Sequence, residues 1–203
     1  MAQQPFSPQV LTALVARAQD GDTEAFGKIY DAYLTPVYRY VVFRFPEDLA
    51  EDLVADIFVK AWEKLYTYKV YKEVPFSAWL FRIARHAIID AYRRQRGFDE
   101  LGEDVIDETA AGDPRQQAER TLSIAKVRRA LNKLPKYYRE ILLLHYVSEL
   151  THSEIARSLR ITEGGVRILK FRALRKLEGY LGEPALGAQP GAAMQPATDS
   201  GPL

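Results

Sequence analysis

The sequence predicts an all-α chain: two small helical domains joined by a flexible acidic linker. Three observations carry this. Apolar residues recur at the three- and four-residue spacing of helices through most of residues 8–97 and 119–181. Residues 98–118 lose that period, are rich in Asp, Glu, Gly and Ala, and end in Gly112-Asp113-Pro114. Charge is segregated on either side of that stretch. Residues 76–97 carry a net +4, residues 98–119 a net −7 and residues 160–178 a net +4. The formal total of +1 over 203 residues therefore hides two basic modules, and local charge sets affinity for a polyanion.

Apolar residues make up 47% of the chain and charged ones 27%, enough for packed cores. With no cysteine, a disulfide framework and a thiolate zinc site are excluded, which suits a reducing compartment. No basic segment followed by an apolar run opens the chain, and no stretch nears the roughly 18 apolar residues of a spanning helix. A cytoplasmic protein without membrane insertion is expected.

In chain order, residues 8–34 read as two amphipathic helices with a turn at Asp20–Asp22. A third helix is expected from about Pro36 to Phe45, ended by Pro46. Residues 47–65 form the next, with Leu49, Leu53, Ile57, Ala61 and Leu65 as its inward stripe. Its first half holds Asp48, Glu51, Asp52 and Asp56, which read either as a solvated helix start or as a docking face for a basic partner. Residues 66–75 break the pattern and hold Tyr66, Tyr68 and Tyr71, a loop suited to stacking unpaired bases or to packing on the fold. Residues 76–96 come next as a long helix with Ser77 at its N-cap. Trp79, Leu80, Ile83, Ala84, Ala87, Ile88 and Ala91 are its inward residues, with Arg82, Arg85, His86, Arg93, Arg94 and Arg96 elsewhere. After the linker, residues 119–134 return to helix with Ile124, Val127, Leu131 and Leu134 inward. Pro135 opens another helix, whose Tyr138, Ile141, Leu142 and Tyr146 roof a helical hairpin over residues 150–177. Residues 182–203 are Gly-, Ala- and Pro-rich and are expected to be a disordered tail.

That hairpin organises the second domain. Thr151-x-x-Glu154 is a capping box that starts one short helix, with Ile155, Ala156 and Leu159 inward. Arg160-Ile161-Thr162 is a turn, and Thr162 caps a second helix whose Val166, Leu169, Ala173 and Leu177 share one face. The opposite face carries Arg167, Ile168, Phe171, Arg172 and Arg175. A basic face that also presents an aromatic and a branched apolar side chain fits a recognition helix in a DNA major groove. The alternative is a helical hairpin with a solvated charged face.

Three stretches resemble the extracytoplasmic-function group of bacterial RNA polymerase sigma factors, in order: AEDLVADIFVKAW (50–62), FSAWLFRIARHAIIDAYRRQR (76–96) and LPKYYREILLLHYVSELTHSEIARSLRITEGGVRILKFRALRKL (134–177). They are similar to sigma regions 2.2, 2.3–2.4 and 4. The resemblance implies region 2 over residues 8–97 and region 4 over residues 119–181, with a role in promoter-specific initiation. Asp48, Glu51, Asp52 and Asp56 would dock on the clamp coiled coil of the largest polymerase subunit, and region 4 on the flap of the second-largest. The −10 element would be held by Tyr66, Tyr68, Tyr71, Trp79, Arg82, Arg85 and His86, with Arg93 and Arg94 on the duplex upstream. The −35 element would be read by Arg167, Ile168, Phe171, Arg172 and Arg175. An anti-sigma factor is a further implied partner.

The chain departs from the family's T-V-[KR]-S-R pattern, having Ile168 and Leu169 where a small polar and a basic residue are usual. His86 stands where an asparagine is common. A stand-alone helix-turn-helix regulator is the alternative, although it needs no acidic helix followed by an aromatic loop and an arginine-rich helix. No phosphate loop, nucleophile–base pair or metal-spaced ligand set is present, so neither an enzyme, a cofactor nor a metal site is expected. The three histidines are not paired at metal spacing.

Overall fold

The computed structural model describes residues 6–69, 74–96 and 114–182, and every element among them is helical. The Tyr71 assignment, residues 98–113 of the linker and the tail from residue 183 lie outside the described residues.

The first domain begins with α1 (Pro8–Gln19), opened by Ser7, whose hydroxyl accepts from the Val10 amide, and by Pro8 in the first turn. The chain reverses at Gly21, whose φ of +92° is a left-handed value that glycine adopts without strain. Asp22 then caps α2 (Thr23–Val42), accepting from the Ala25 amide at 2.9 Å and pairing with Arg17. The third helix expected from Pro36 does not exist separately, because α2 runs straight through Pro36. Its buried stripe Ile29, Tyr33, Val37, Tyr40 and Val41 continues across the proline. Burial on both sides outweighs one lost backbone hydrogen bond.

Helix α3 (Glu47–Lys64) packs Leu53, Ile57, Phe58 and Ala61 inward, and Leu65 extends the stripe into a 3₁₀ turn, Leu65–Thr67. Leu49, expected in that stripe, is 43% exposed and lines an open groove, while its neighbour Ala50 is fully buried. Helix α4 (Phe76–Arg96) buries Phe76, Leu80, Phe81, Ala84, Ala87 and Ile88. Ser77 lies inside α4 and not at its cap; its hydroxyl is used across the domain boundary instead.

The second domain comprises α5 (Pro114–Lys133), α6 (Lys136–Leu142), α7 (His152–Leu159) and α8 (Glu163–Gly182). Helix α5 starts at Pro114, so the last five residues assigned to the linker are helical. Ile124, expected inward, is 51% exposed, whereas Leu131 and Leu134 are buried. A π-helical turn, Leu143–Val147, succeeds α6. The wider turn offsets the side chains within it, so Leu143 and Leu144 fill the core and Tyr146, expected to roof the hairpin, is 55% exposed.

The two domains share one continuous apolar cluster, and α7 packs directly on α4. Glu140 of α6 accepts from the Tyr40 hydroxyl and from Arg44 at 2.7 Å, with the Arg44 side chain only 3% exposed. Arg82 donates to the Arg157 carbonyl at 2.7 Å, and Ser77 donates to Glu154. The arrangement is closed.

Candidate nucleic-acid interface

The helix-turn-helix arises from its local chemistry. Thr151 accepts from the Glu154 amide at 3.3 Å while the Glu154 carboxylate accepts from the Thr151 amide at 2.8 Å, closing the capping box. Helix α7 ends at Arg160 with φ 58° and ψ 46°, a left-handed cap formed without glycine. Thr162 then caps α8, accepting from the Gly165 amide at 3.1 Å. Val166 and Ala173 are fully buried, and Leu169 and Leu177 pack against the same core.

The outward face of α8 is an open, basic strip. Arg167, Arg172 and Arg175 are exposed, as are Ile168 at 55% and Phe171 at 60%. Arg175 lies over the Phe171 ring, and Arg167 keeps a long, exposed approach to Glu163. Such ion pairs contribute little, so these guanidiniums are free to exchange partners with phosphate or guanine edges.

The fastening of this helix depends on residues far apart in the chain. His145 of the π turn and His152 of α7 stack with ring centroids 5.0 Å apart, and the Lys170 ammonium of α8 lies 3.2 and 2.8 Å from their Nε2 atoms. An ammonium only donates, so both Nε2 atoms accept, and His145 Nδ1 donates to the Leu150 carbonyl. The histidines, unpaired in sequence, are thus paired by the fold around a lysine. Among the described residues no group of three or more metal-type ligands occurs.

The first domain distributes its predicted residues over three settings. Tyr66 is 77% exposed beyond the end of α3, available for stacking. Tyr68 is buried: its ring packs on Phe76 and Trp79, its hydroxyl donates to the Val74 carbonyl, and burial raises its pKa. Tyr68 therefore packs against the start of α4, with Trp79 half-buried beside it. Gln19 donates to the Leu65 and Tyr68 carbonyls.

Along α4, Arg82 is engaged with α7, and burial with the nearby Arg160 charge lowers its pKa. Arg85 lines the seam between the domains, while His86, Arg93 and Arg94 are exposed. On α3, Asp48, Glu51 and Asp52 are exposed and Asp56 pairs with Lys60 at 2.6 Å. Asp52, Asp56 and Arg94 rim a groove of about 490 Å³ between α3 and α4, whose walls include Phe45, Leu49 and Leu53. Acidic side chains above an apolar floor suit a basic amphipathic partner.

Two family matches cover the two domains: Sigma-70 region 2 over residues 29–98 and Sigma-70, region 4 over residues 124–177. The chain belongs to the sigma-70 family. It is 33% identical over 175 residues to the extracytoplasmic-function sigma factor BldN of Streptomyces coelicolor, an alignment covering 85% of this chain and 66% of BldN. It is 32% identical over 156 residues to the extracytoplasmic-function sigma factor SigM of Bacillus subtilis, covering 74% and 91%. Among solved structures, CnrH bound to the cytosolic domain of CnrY is 29% identical with a TM-score of 0.65, covering 85% of this chain and 97% of that one. A sigma-70 chain with regions 2 and 4 both present is a sigma factor and not a stand-alone helix-turn-helix regulator. Among the described residues no helix is long and apolar enough to cross a membrane.

Proposed function

We propose that this chain is the promoter-specificity subunit of a bacterial RNA polymerase, docking through α3 and reading promoter DNA with α4 and α8. The observation that carries the reading is the outward strip of α8, where Arg167, Arg172 and Arg175 flank two exposed apolar side chains. Arginine forks suit guanine edges and phosphates, while Ile168 and Phe171 suit thymine methyls. Docking belongs to the acidic face of α3, where Asp52 and Asp56 border an apolar groove and Asp48 and Glu51 are exposed on the same helix. The −10 strand falls to exposed Tyr66 with Arg85, His86, Arg93 and Arg94. Stacking and phosphate neutralisation offset part of the cost of opening a duplex.

The closed arrangement is then the DNA-free state. Elements at −10 and −35 lie roughly two dozen base pairs apart, on the order of 80 Å at 3.4 Å per pair. Domains held together by Ser77–Glu154 and Arg44–Glu140 contacts do not reach across that distance. Binding to polymerase must supply the free energy that separates them. An anti-sigma factor is the partner expected to favour closure; the relative CnrH has a solved structure in complex with the cytosolic domain of CnrY.

Run-off transcription with purified core polymerase on a pool of bacterial genomic fragments tests the reading. New transcripts with defined starts are expected, and replacing Asp52 and Asp56 with Lys should abolish them while duplex binding by region 4 persists. Transcripts independent of the added protein would remove the proposal.

A further inference from the structure

Closure creates a second feature at the seam between the domains. Between α4 and α6 lies a cleft of about 380 Å³, floored by the buried Ile88. Arg85 and Arg93 enter it from the first domain, Lys136 and Arg139 from the second. The single carboxylate there, Glu140, is already bound by Arg44 and the Tyr40 hydroxyl. Arg93 has a distant, exposed approach to Asp90 at 3.7 Å, and Arg139 donates to the neutral Asn132. Arg85 and Lys136 have no acidic partner among the described residues. Bringing four cations together across a domain seam opposes closure, and an anion seated between them reverses the sign of that contribution.

Two tyrosines define the rest of the site. Tyr92 stands on the α4 wall, braced against Phe45 with ring centroids 4.7 Å apart, and Tyr137 stands on the α6 wall. The volume falls within the usual range for small-molecule sites and exceeds what one inorganic phosphate occupies. Cations on both walls suit a chain of phosphates, and aromatic faces suit a planar base.

We propose that this interdomain cleft binds a nucleoside polyphosphate, which bridges α4 and α6 and holds the two domains closed. Because Arg85 and Arg93 are also candidate contacts to the −10 strand, ligand and promoter compete for the same side chains. The ligand thereby acts as a brake on initiation. The binding claim itself does not depend on the promoter reading.

Calorimetric titration of the full chain with GTP, and separately with inorganic tripolyphosphate, tests it. Lys136 is exposed and outside the assigned DNA and polymerase contacts, so Lys136→Glu should fold normally and weaken GTP binding by about tenfold or more. Lys64→Glu, the same charge change outside the cleft, should leave GTP affinity within about twofold. Tyr137→Ala should weaken GTP while leaving tripolyphosphate unchanged. Equal GTP affinity in Lys136→Glu and the parent chain overturns the site. Tripolyphosphate binding as tightly as GTP overturns the nucleoside assignment.

Discussion

Ser77 of α4 and Glu154 of α7 share a hydrogen bond across the domain boundary, through the carboxylate whose other oxygen closes the capping box of the helix-turn-helix. One side chain thus serves both the local fold of region 4 and its attachment to region 2. The two roles separate by mutation. Ser77→Ala removes only the bridge, so it should loosen the domains by about 1–3 kcal/mol and leave region 4 melting unchanged. Glu154→Ala also removes the cap, adding about 1 kcal/mol of lost region 4 stability. Thermal melts of the full chain should show both variants, whereas isolated region 4, which lacks Ser77, should be destabilised by Glu154→Ala on its own. An isolated region 4 that melts unchanged with Glu154→Ala would contradict this division.

Arg44 and Glu140 form the most buried ion pair described, with side chains 3% and 13% exposed. Burial disfavours the Arg44 charge, but Tyr40 and Glu140 outweigh that and raise its pKa overall. Removing one partner of a buried pair costs about 3–5 kcal/mol, because the other charge is left without compensation. Here an escape exists: if the domains part, Arg44 meets water. Glu140→Ala should therefore populate the open form and increase promoter binding by the free protein, measured by fluorescence anisotropy. Global unfolding with no gain in DNA binding would refute that route.

His152 gives region 4 a pH dependence of definite sign. Burial lowers its pKa from 6.5, Lys170, His145 and Arg167 add to the effect, and Glu163 opposes it. The folded state therefore binds fewer protons than the unfolded state as pH falls through 6.5, and stability declines in that direction. Melting temperature should drop between about pH 7 and about pH 5.5, and His152→Gln should flatten the profile. A rise on acidification would reverse the assignment.

Arg167→Ala and Arg172→Ala should each cost about 1–3 kcal/mol on a cognate −35 duplex if they read base edges. Equal losses on scrambled duplex would make them phosphate contacts. Binding titrations at two salt concentrations separate these cases, since phosphate contacts alone reduce the salt slope.

Much of the fold and of the outward strip of α8 was legible in the chain. The capping box at Thr151 and Glu154, the Thr162 cap and the outward strip of α8 obey local rules that one segment states completely. What escaped the sequence depends on other segments. Pro36 looked like a boundary, but the buried stripe on both sides carries α2 through it. Ser77 looked like a cap because its partner, Glu154, lies 77 residues away. Tyr146 turned outward because a π turn shifts register, which the apolar spacing did not announce. Arg44 was hidden between Phe43 and Phe45, at the end of the expected third helix. An arginine in so apolar a stretch was the one available hint of a buried partner.

The chain has no cysteine, so two can be introduced at will for labelling. Lys28→Cys and Glu178→Cys, one on each domain at exposed positions, would report the distance between regions 2 and 4 by energy transfer. High transfer is expected in the free protein, with a collapse when core polymerase and promoter DNA are added together. Transfer that stays high in an actively transcribing complex would mean that the domains do not separate on the promoter.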